Sequence, residues 1–575
     1  MREKKWQYKN KAHKPELIRE TARKYRLPMV IAAILLNRGV QGEEIQKYFE
    51  KSMKDIINPM EMKDMDKAAE RVKAAIDKHE KIMIYGDYDV DGITSVTIMY
   101  DFLRSKGADV DYYIPERANE GYGLSIKPIN KMVKQGVKLI ISVDCGITAL
   151  GEVSFAKLSG IDMVITDHHT CKERIPEDAV AVVDPKREDD EYPFDGLCGA
   201  GVAFKLALAV TMLRGENTNE CFRRYIDLVA VGTVADVMPL TNENRVLVDR
   251  GIKALQHTKR AGLAALLTVS GAKEPYNTST IGFSIAPRLN AAGRLGNAST
   301  GVELLMETDF NKAMEIAKSL DEANKQRQET EQRIFEEALD MVARDPNFEK
   351  KKVIVLHKEG WHQGVIGIVA SRINEKFYRP CILLSDDGRG NSKGSGRSVR
   401  DFNLFDALSY CDDCLADFGG HSAAAGLNIN TADIEKFSNK INAYADAEMT
   451  EDTLTPKLDI DCPLNGASIN IAAAKSLELL EPFGMSNEKP LFAVTGAVIE
   501  EIAAVGNEGK HLRLRLIKDN LSFKGIAFSM GALASELSAG EEIDVAFWLD
   551  INRYQGNESV QLMIKDIKLA CKTRE

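Results

Sequence analysis

Residues 81–92 read KIMIYGDYDVDG. The first five form a short apolar run of the kind a buried strand needs, and the run breaks at Gly86 into a loop carrying Asp87, Asp89 and Asp91. Similar short β-rich runs follow. VKLIISV (137–143) runs into Asp144-Cys145-Gly146, DMVIT (162–166) into Asp167-His168-His169, and AVAVV (179–183) into Asp184-Pro185-Lys186. VDYYI (110–114) adds a further run, and helical stretches separate them all. That alternation predicts βαβ units and a parallel sheet. In an open α/β sheet the loops beyond the carboxyl ends of the strands meet in space. Four polar loops, far apart in sequence, are therefore expected to converge on one site.

On the amino-terminal side, residues 1–75 read as a helical N-terminal segment, with apolar residues at helical spacing through Leu27–Leu36 and a good helix former in MDKAAERVKAAIDK (65–78). The parallel-sheet α/β domain is expected over 76–300. Residues 302–344 contain neither Gly nor Pro, so 301–345 reads as one long connecting helix or two nearly continuous ones. A smaller α/β lobe follows over 346–450, opening with KKVIVLH (351–357) and WHQGVIGIVASRI (361–373). Over 451–575 the runs HLRLRL, LSFKGIAF, EIDVAFWLDI and VQLMIKDI suit a small β-barrel such as an OB-fold.

The chain has 575 residues, 44% of them hydrophobic and 28% charged, enough to bury several cores. Its formal net charge of -10 argues against nonspecific coating of duplex DNA, while leaving room for a local basic footprint. Nine scattered cysteines make no disulfide framework and fit a reducing compartment. The polar start MREKKWQYKNKAHK lacks the apolar core of a signal peptide, and Met29–Leu36 is far shorter than the roughly 20 residues that span a bilayer. A soluble, cytoplasmic protein with no membrane partner is expected.

Hard divalent cations take carboxylate oxygens, and Mn²⁺ also accepts imidazole. Asp87, Asp89, Asp91, Asp144, His168, His169 and, further on, Asp236 in VGTVADVMPL (231–240) supply both. Two ions about 3.5–4 Å apart would clamp a phosphate, activate a water and offset charge on the leaving oxygen. The spacing Asp87-x-Asp89-x-Asp91-Gly92 also opens an EF-hand loop, but position twelve, where a bidentate Glu is required, is Ile98. Taken singly, Asp91-Gly92 suits a plain turn and Asp167 a helix cap. It is the set of strand-end loops that favours a metal site. The Cys411-x-x-Cys414 pair has no second Cys/His pair nearby and reads as ordinary thiols.

GDYDVDG, VDCG, DHH and GTVADV, in this order, resemble the four motifs of the DHH phosphoesterase superfamily, and GGHSAAAG (419–426) resembles the motif of its DHHA1 substrate domain. IAPRLNAAGRLG (285–296), WHQGVIGIVASRI, GSGRSVRDFNL (394–404) and LLEPFGMSNEKP (479–490) are similar to stretches of the superfamily's single-stranded-DNA-specific exonucleases. The resemblance implies Mn²⁺ or Mg²⁺, two ions per site, on Asp89, Asp91, Asp144, His168 and Asp236, with Asp144 bridging. It implies that Asp87 lies in or just outside that set, and that His169 faces the scissile phosphate. Other branches carry a His four residues before the middle Asp of the first motif. Tyr85 stands there in this chain, and a phenol is a poor ligand at neutral pH.

Phosphates need N–H donors, Arg or Lys. Ser395, Gly396 and Arg397 read as part of a Gly-rich loop, and Gly419, Gly420 and His421 as a tight backbone approach with an imidazole. A surface turn is the plainer reading of the first and a helix-start turn that of the second. The resemblance implies that Arg397 and His421 hold phosphates. Arg288, Asn290 and Arg294 are expected to line a channel between lobes or, more plainly, to close a polar turn. Trp361 and His362 are expected near the same cleft, with Trp361 offering a stacking surface. In the barrel, Lys510, Arg513, Arg515, Phe523, Lys524, Phe528 and Tyr554 mix bases with aromatics as single-strand binding requires, although half-buried strands also alternate in this way.

The resemblance implies a metal-dependent single-stranded-DNA exonuclease that releases 5′-mononucleotides in the 5′→3′ direction during recombination and repair. Single-strand-binding protein and a helicase are the expected partners. Two alternatives stay open: a nanoRNase or cyclic-dinucleotide phosphodiesterase of the same superfamily, and an inactive DNA-binding replication scaffold.

Overall fold

The computed structural model describes residues 4–9, 14–116, 123–295, 298–554 and 556–570. They fall into two units: Ser52–Leu454 with Gly484–Ser486, and the flanking segments up to Lys51 and from Thr455.

The larger unit is built first on strands β1 (Ile82–Tyr85), β2 (Val110–Tyr113), β3 (Leu139–Val143), β4 (Asp162–Thr166) and β5 (Ala181–Val183). They form one five-stranded sheet in the order β2-β1-β3-β4-β5, with every pairing parallel. Alternate residues serve opposite cores. Ile82, Ile84, Ile141 and Val164 pack into one apolar cluster, while Met83, Tyr85, Ile140 and Ile165 pack into another. Burial on both faces explains why the strands read as unbroken apolar runs. This strand order has its switch point between β1 and β3, where doubly wound sheets open a ligand crevice. The helices that matter to the site are α1 (Val90–Ser105), α2 (Gly199–Leu213), α3 (Thr218–Ala235) and α4 (Ala286–Leu295).

Of the two helical readings of 301–345, the structure takes the divided one. A helix over Ser299–Met306 ends, and α5 (Phe310–Arg344) begins at Asp309, whose carboxylate accepts the N–H groups of Asn311 and Lys312 at 2.8 and 3.0 Å. An Asp in this position satisfies orphan donors and so starts a new helix. At about 1.5 Å per residue α5 runs for roughly 50 Å. Its Ala313, Ala317 and Leu320 join the core of the parallel-sheet domain; its Ile334, Ala338 and Val342 join that of the second lobe.

The second lobe is a five-stranded sheet of β6 (Ile354–Glu359), β7 (Cys381–Asp386), β8 (Asn391–Arg397), β9 (Asp417–Gly420) and β10 (Ala424–Asn430), ordered β9-β10-β8-β7-β6. Helices α6 (Ile366–Phe377) and α7 (Leu404–Tyr410) pack on it. Cys411 and Cys414 lie buried in its core and are free thiols, as are all eight described cysteines.

The second unit holds the barrel: β11 (Phe492–Val505), β12 (His511–Lys518), β13 (Leu521–Ala527), β14 (Glu542–Tyr554) and β15 (Asn557–Leu569). Its order β11-β12-β13-β15-β14 closes by pairing β14 back on β11, and β13 meets β15 in parallel. This is the closed five-stranded topology expected of an OB-fold. Leu512, Leu514, Leu516 and Phe523 point inward, whereas Lys510, Arg513, Lys524 and Phe528 are exposed and Arg515 is half-buried. Phe523 is thus a core residue and offers no stacking face; the Tyr554 side chain lies outside the described residues.

The expected N-terminal segment 1–75 is divided between the units. Lys5–Tyr8 pairs in parallel with Lys457–Ile460, and Ile31, Ile34, Leu35 and Ile45 sit in the barrel's core cluster. The helix Met65–Asp77 instead packs in the parallel-sheet domain. The apolar run Met29–Leu36 is therefore a docking face for the barrel, and no helix of the described residues is long and apolar enough to cross a membrane.

Candidate active site at the carboxyl ends of the parallel strands

The loop after β1 turns directly into α1, and Asp89 caps that helix by accepting the Gly92 N–H at 3.1 Å. Asp91 lies in the first turn, fully buried. Both its oxygens are held by the start of α2, Oδ2 by Gly199 N at 2.6 Å and Oδ1 by Ala200 N at 2.8 Å. This contact needs glycine. A Cβ on Gly199 would stand 2.5 Å from Asp144 Cβ, and one on Gly232 of α3 would stand 2.7 Å from Asp91 Oδ1. Asp144 follows β3 with φ of 60°, a conformation that costs a non-glycine residue about 1–3 kcal/mol and that clusters at functional sites. Asp236 closes α3 at its carboxyl end.

His168 Nε2 is the meeting point. It stands 3.1 Å from Asp144 Oδ1, 3.6 Å from Asp236 Oδ2 and 3.7 Å from Asp91 Oδ2. Ligand atoms of Asp91, His168 and Asp236 lie within 4.8 Å of one another, as do those of Asp87, Asp89 and Asp144, and those of Asp144, His168 and His169. All seven residues nominated from the sequence are brought together, and Asp144 belongs to two of the three groups. Asp87 stands in the same group as Asp89.

So many carboxylates cannot all ionise cheaply in a buried place. Burial first, then Asp89, raises Asp91 to about 6; burial, then Asp91 and Asp89, raises Asp236 to about 8. Burial and the charges of Asp91, Asp89 and Asp87 push Asp144 far up as well. Burial holds His168 down to about 3, so its imidazole is neutral, the form that binds metals. Asp144 Oδ1 is buried and accepts no hydrogen bond, in spite of its short approach to His168. Hard oxygen donors, one neutral imidazole and an excess of buried negative charge fit Mn²⁺ or Mg²⁺. Tyr85 does not join them. Its side chain packs on the opposite face of the sheet, and its hydroxyl donates to Gly123 O at 3.2 Å.

Asp167 has a different task. Oδ2 accepts the Ile147 N–H at 2.9 Å, while Oδ1 accepts from His168 N, His169 N and His169 Nδ1 at 2.7, 3.2 and 2.7 Å. Burial raises its carboxyl, but the His169 ring bond and charge, with the Ile147 N–H, outweigh burial and keep it below the usual range. In turn His169 rises to about 9: burial opposes its charge, and the Asp167 bond and charge overcome that opposition.

The substrate-facing expectations divide. The stretch Ser395-Gly396-Arg397 is not a loop but the end of strand β8, paired with β7 and β10. Its glycines exist for packing. A Cβ on Gly394 would meet Leu384 at 2.6 Å, and one on Gly396 would meet Leu404 at 2.8 Å. Ser395 and Arg397 share the other face, joined by Arg397 Nη1 donating to Ser395 Oγ at 3.1 Å. Gly419 and Gly420 end strand β9, and the exposed His421 begins the turn back to β10, its N–H donating to Ala424 O at 2.8 Å. Ala424 pairs with Arg397, so this turn and the end of β8 come together.

Trp361 must be corrected. It is 2% exposed, packs in the core with Ile334, Ala338 and Val365, and donates to Glu337 at 2.7 Å, so it presents no face to a base. His362 is exposed and its Nδ1 accepts the Gly364 N–H. Arg288 is engaged by Asp321 of α5 at 2.8 Å and by Ser284 O at 2.7 Å, and so braces α4 against α5. Arg294 Nη1 donates to Gly364 O at 2.7 Å, tying α4 to the second lobe, and Asn290 is half-buried.

Gly199, Ala200, Gly232 and the bracing role of Asp167 were not singled out from the sequence. Cys198-Gly199-Ala200-Gly201 carried a signal in its small residues before a long apolar helix. Asp184, in the fourth of the strand-end loops, was not named among the ligand candidates; it is fully buried, Oδ2 has no hydrogen-bond partner, and burial with the Asp167 charge raises it to about 7.

Sheet, lobe, barrel and acidic centre define a DHH-type hydrolase. Family models match accordingly: the DHH family N-terminal domain over residues 81–233, the DHHA1 domain over 350–447 and the RecJ OB domain over 460–566. The chain is 40% identical over 540 residues to the single-stranded-DNA-specific exonuclease RecJ of Bacillus subtilis, covering 93% of this chain and 67% of that one. It is 34% identical over 559 residues to RecJ of Escherichia coli, covering 94% and 96%. The crystal structure of Thermus thermophilus RecJ in complex with Mn²⁺ superposes with a TM-score of 0.84 at 29% identity, covering 98% of this chain and 79% of that one. This chain belongs to the RecJ family.

Proposed function

We propose that the chain is a divalent-metal-dependent exonuclease acting on single-stranded DNA. The observation that carries this reading is the convergence of three carboxylates on His168 Nε2, with Asp144 shared between two ligand groups, in a member of the RecJ family. Asp87, Asp89, Asp91, Asp144, His168 and Asp236 would hold two ions, Mn²⁺ or Mg²⁺, the metals named for RecJ of Thermus thermophilus. Bound there, such ions supply Lewis acidity to a phosphate and lower the pKa of an attacking water.

The chain's own residues do the rest. Gly199 and Ala200 fix the Asp91 carboxylate, so that its geometry is set before any ion arrives. Asp167 fixes His169 by Nδ1 and keeps it protonated, leaving Nε2–H to donate to a phosphate oxygen as charge develops. Arg397 and His421 grip a phosphate of the strand beside the centre. Attack proceeds from the 5′ end and releases 5′-mononucleotides, in recombination and repair, with single-strand-binding protein and a helicase as partners. Free cysteines throughout the described residues favour a reducing, cytoplasmic setting.

The reading is tested by hydrolysis of single- and double-stranded substrates with Mn²⁺, with Mg²⁺ and after chelation. Metal-dependent release of nucleotides from the single strand alone is expected; turnover that survives chelation would overturn it.

A further inference from the structure

Helix α3 ends in a turn that glycine usually occupies, and here it does not. After Asp236 the chain reverses through Val237, whose N–H donates to Val234 O at 3.2 Å, while the Met238 N–H donates to Thr233 O at 3.1 Å. That pair of bonds needs a left-handed residue between them, and glycine adopts that conformation at least cost. The same pair closes helices of this chain at Gly107, Gly136, Gly160 and Gly215, with φ of 74°, 77°, 76° and 67°. At the end of α3 it is Val237 that takes a φ of 57°. Arg26 and His79 also fill such turns. Of the described non-glycine residues with positive φ, however, Val237 alone is branched at Cβ, the type for which the conformation is most costly.

The fold gains no packing in return. Val237 is 58% exposed, and the core that takes in Val234, Ala235 and Met238 leaves it out. A strained residue kept without a packing gain points to function. Its place in the chain says where. Of the carboxylates that meet at His168, Asp236 is the open one: its side chain is 29% exposed, against 1% for Asp91 and 3% for Asp144. Val237 follows Asp236 directly, so an exposed isopropyl group stands beside the ligand candidate that faces solvent, with the two Cα atoms about 3.8 Å apart. The metal ligands, Arg397 and His421 address phosphate, which DNA and RNA share; it is the 2′-position of the sugar that separates the two backbones. The sugar is bonded to the phosphate, whereas the base stands one ring further off. An isopropyl group offers no hydrogen bond, so a 2′-hydroxyl pressed against it gives up water without replacement.

We propose that Val237 is the sugar-selecting contact of the centre: its apolar side chain packs on the C2′ methylene of the nucleotide under attack and so favours deoxyribose over ribose. The inference rests on the phosphodiesterase reading above and adds to it the residue that tells the two sugars apart.

The test uses two single-stranded DNA oligonucleotides, identical except that one carries a ribose at the terminal nucleotide under attack. Wild type is expected to show a kcat/KM on the order of 10–100-fold higher on the all-deoxyribose strand, the range an apolar site reaches against one added hydroxyl. Val237→Thr keeps the shape and the branched Cβ but supplies a hydroxyl, and should bring that ratio to within about threefold. Val237→Gly should narrow the ratio as far by removing the contact, and should melt about 1–2 °C above wild type because the strain is relieved. A wild-type ratio of one, a ratio unchanged in either variant, or a glycine variant that melts below wild type overturns the proposal. A wild-type protein that hydrolyses neither strand defeats the underlying reading instead, so the two failures are distinct.

Discussion

Asp167 Oδ1 lies 2.7 Å from His169 Nδ1 and also accepts the backbone N–H groups of His168 and His169. One buried carboxylate therefore sets the backbone of the His pair and the ring of its second member. It does so from the end of β4, adjacent to β3, whose following loop carries Asp144.

Asp167→Asn should therefore preserve the metal-binding groups and damage the reaction. We expect kcat to fall by about 100-fold with KM little changed. Because the Asp167 charge holds His169 near pKa 9, its loss should also shift the alkaline limb of the pH–rate profile to lower pH. An unchanged profile would mean that His169 takes no part.

Asp144→Ala removes the carboxylate shared by two ligand groups. Hydrolysis should fall to background while circular dichroism stays that of the wild type. Turnover close to wild type would break the assignment of the centre.

The metal-free protein should lose stability as pH rises from acid towards 8. Burial raises Asp91, Asp184 and Asp236 from 3.8 to about 6, 7 and 8, so the folded chain keeps protons that the unfolded chain has lost. Stability contributed by these groups is full below about pH 4 and is lost as pH rises towards 8. Calorimetry of the chelated protein should show Tm falling across that window. Asp144→Asn should raise Tm at pH 8, and Mn²⁺ should raise the wild-type Tm more at pH 8 than at pH 5. A flat profile without metal would contradict the buried charge described above.

Trp361→Ala should cost about 3–5 kcal/mol of stability, because a buried aromatic leaves a cavity. Trp361→Phe, which keeps most of that volume, should bind single strands as the wild type does. Weakened binding by a stably folded phenylalanine variant would restore a stacking role.

The acidic centre was legible in the sequence because every ligand candidate except Asp236 follows an apolar strand, and a parallel sheet gathers such positions at one edge; Asp236 arrives from the carboxyl end of α3. What the sequence hid was support reached through space. The small residues at 198–201 hint at close packing, but neither they nor the surroundings of Gly232 say that the close approach is to Asp91 and Asp144. Glycines also misled: Gly394 and Gly396 looked like loop punctuation, yet they let Leu384 and Leu404 cover a strand. Trp361 drew attention by rarity, while burial decides its use. The N-terminal helices read as a separate segment because a pairing of Lys5–Tyr8 with Lys457–Ile460 spans most of the chain.

That pairing also changes how the barrel should be tested. Truncation near 452 would strip Ile31, Ile34 and Leu35 of their cover, so charge reversal on the outer strands is the cleaner change. Arg513→Glu with Lys524→Glu should raise KM on long single strands and lower the slope of log binding against log salt, by about 0.7 for each phosphate that is no longer neutralised. Equal effects on long strands and very short oligonucleotides would make this face irrelevant to the polymer.

The most direct measurement is a product time course on single strands labelled at the 5′ or the 3′ end, with Mn²⁺ or Mg²⁺. The 5′ label is expected to appear at once as a mononucleotide, the 3′-labelled strand to shorten progressively, and both to stop on chelation. Internal cleavage, activity confined to di- and trinucleotides, or no metal-dependent product at all would contradict the proposed activity.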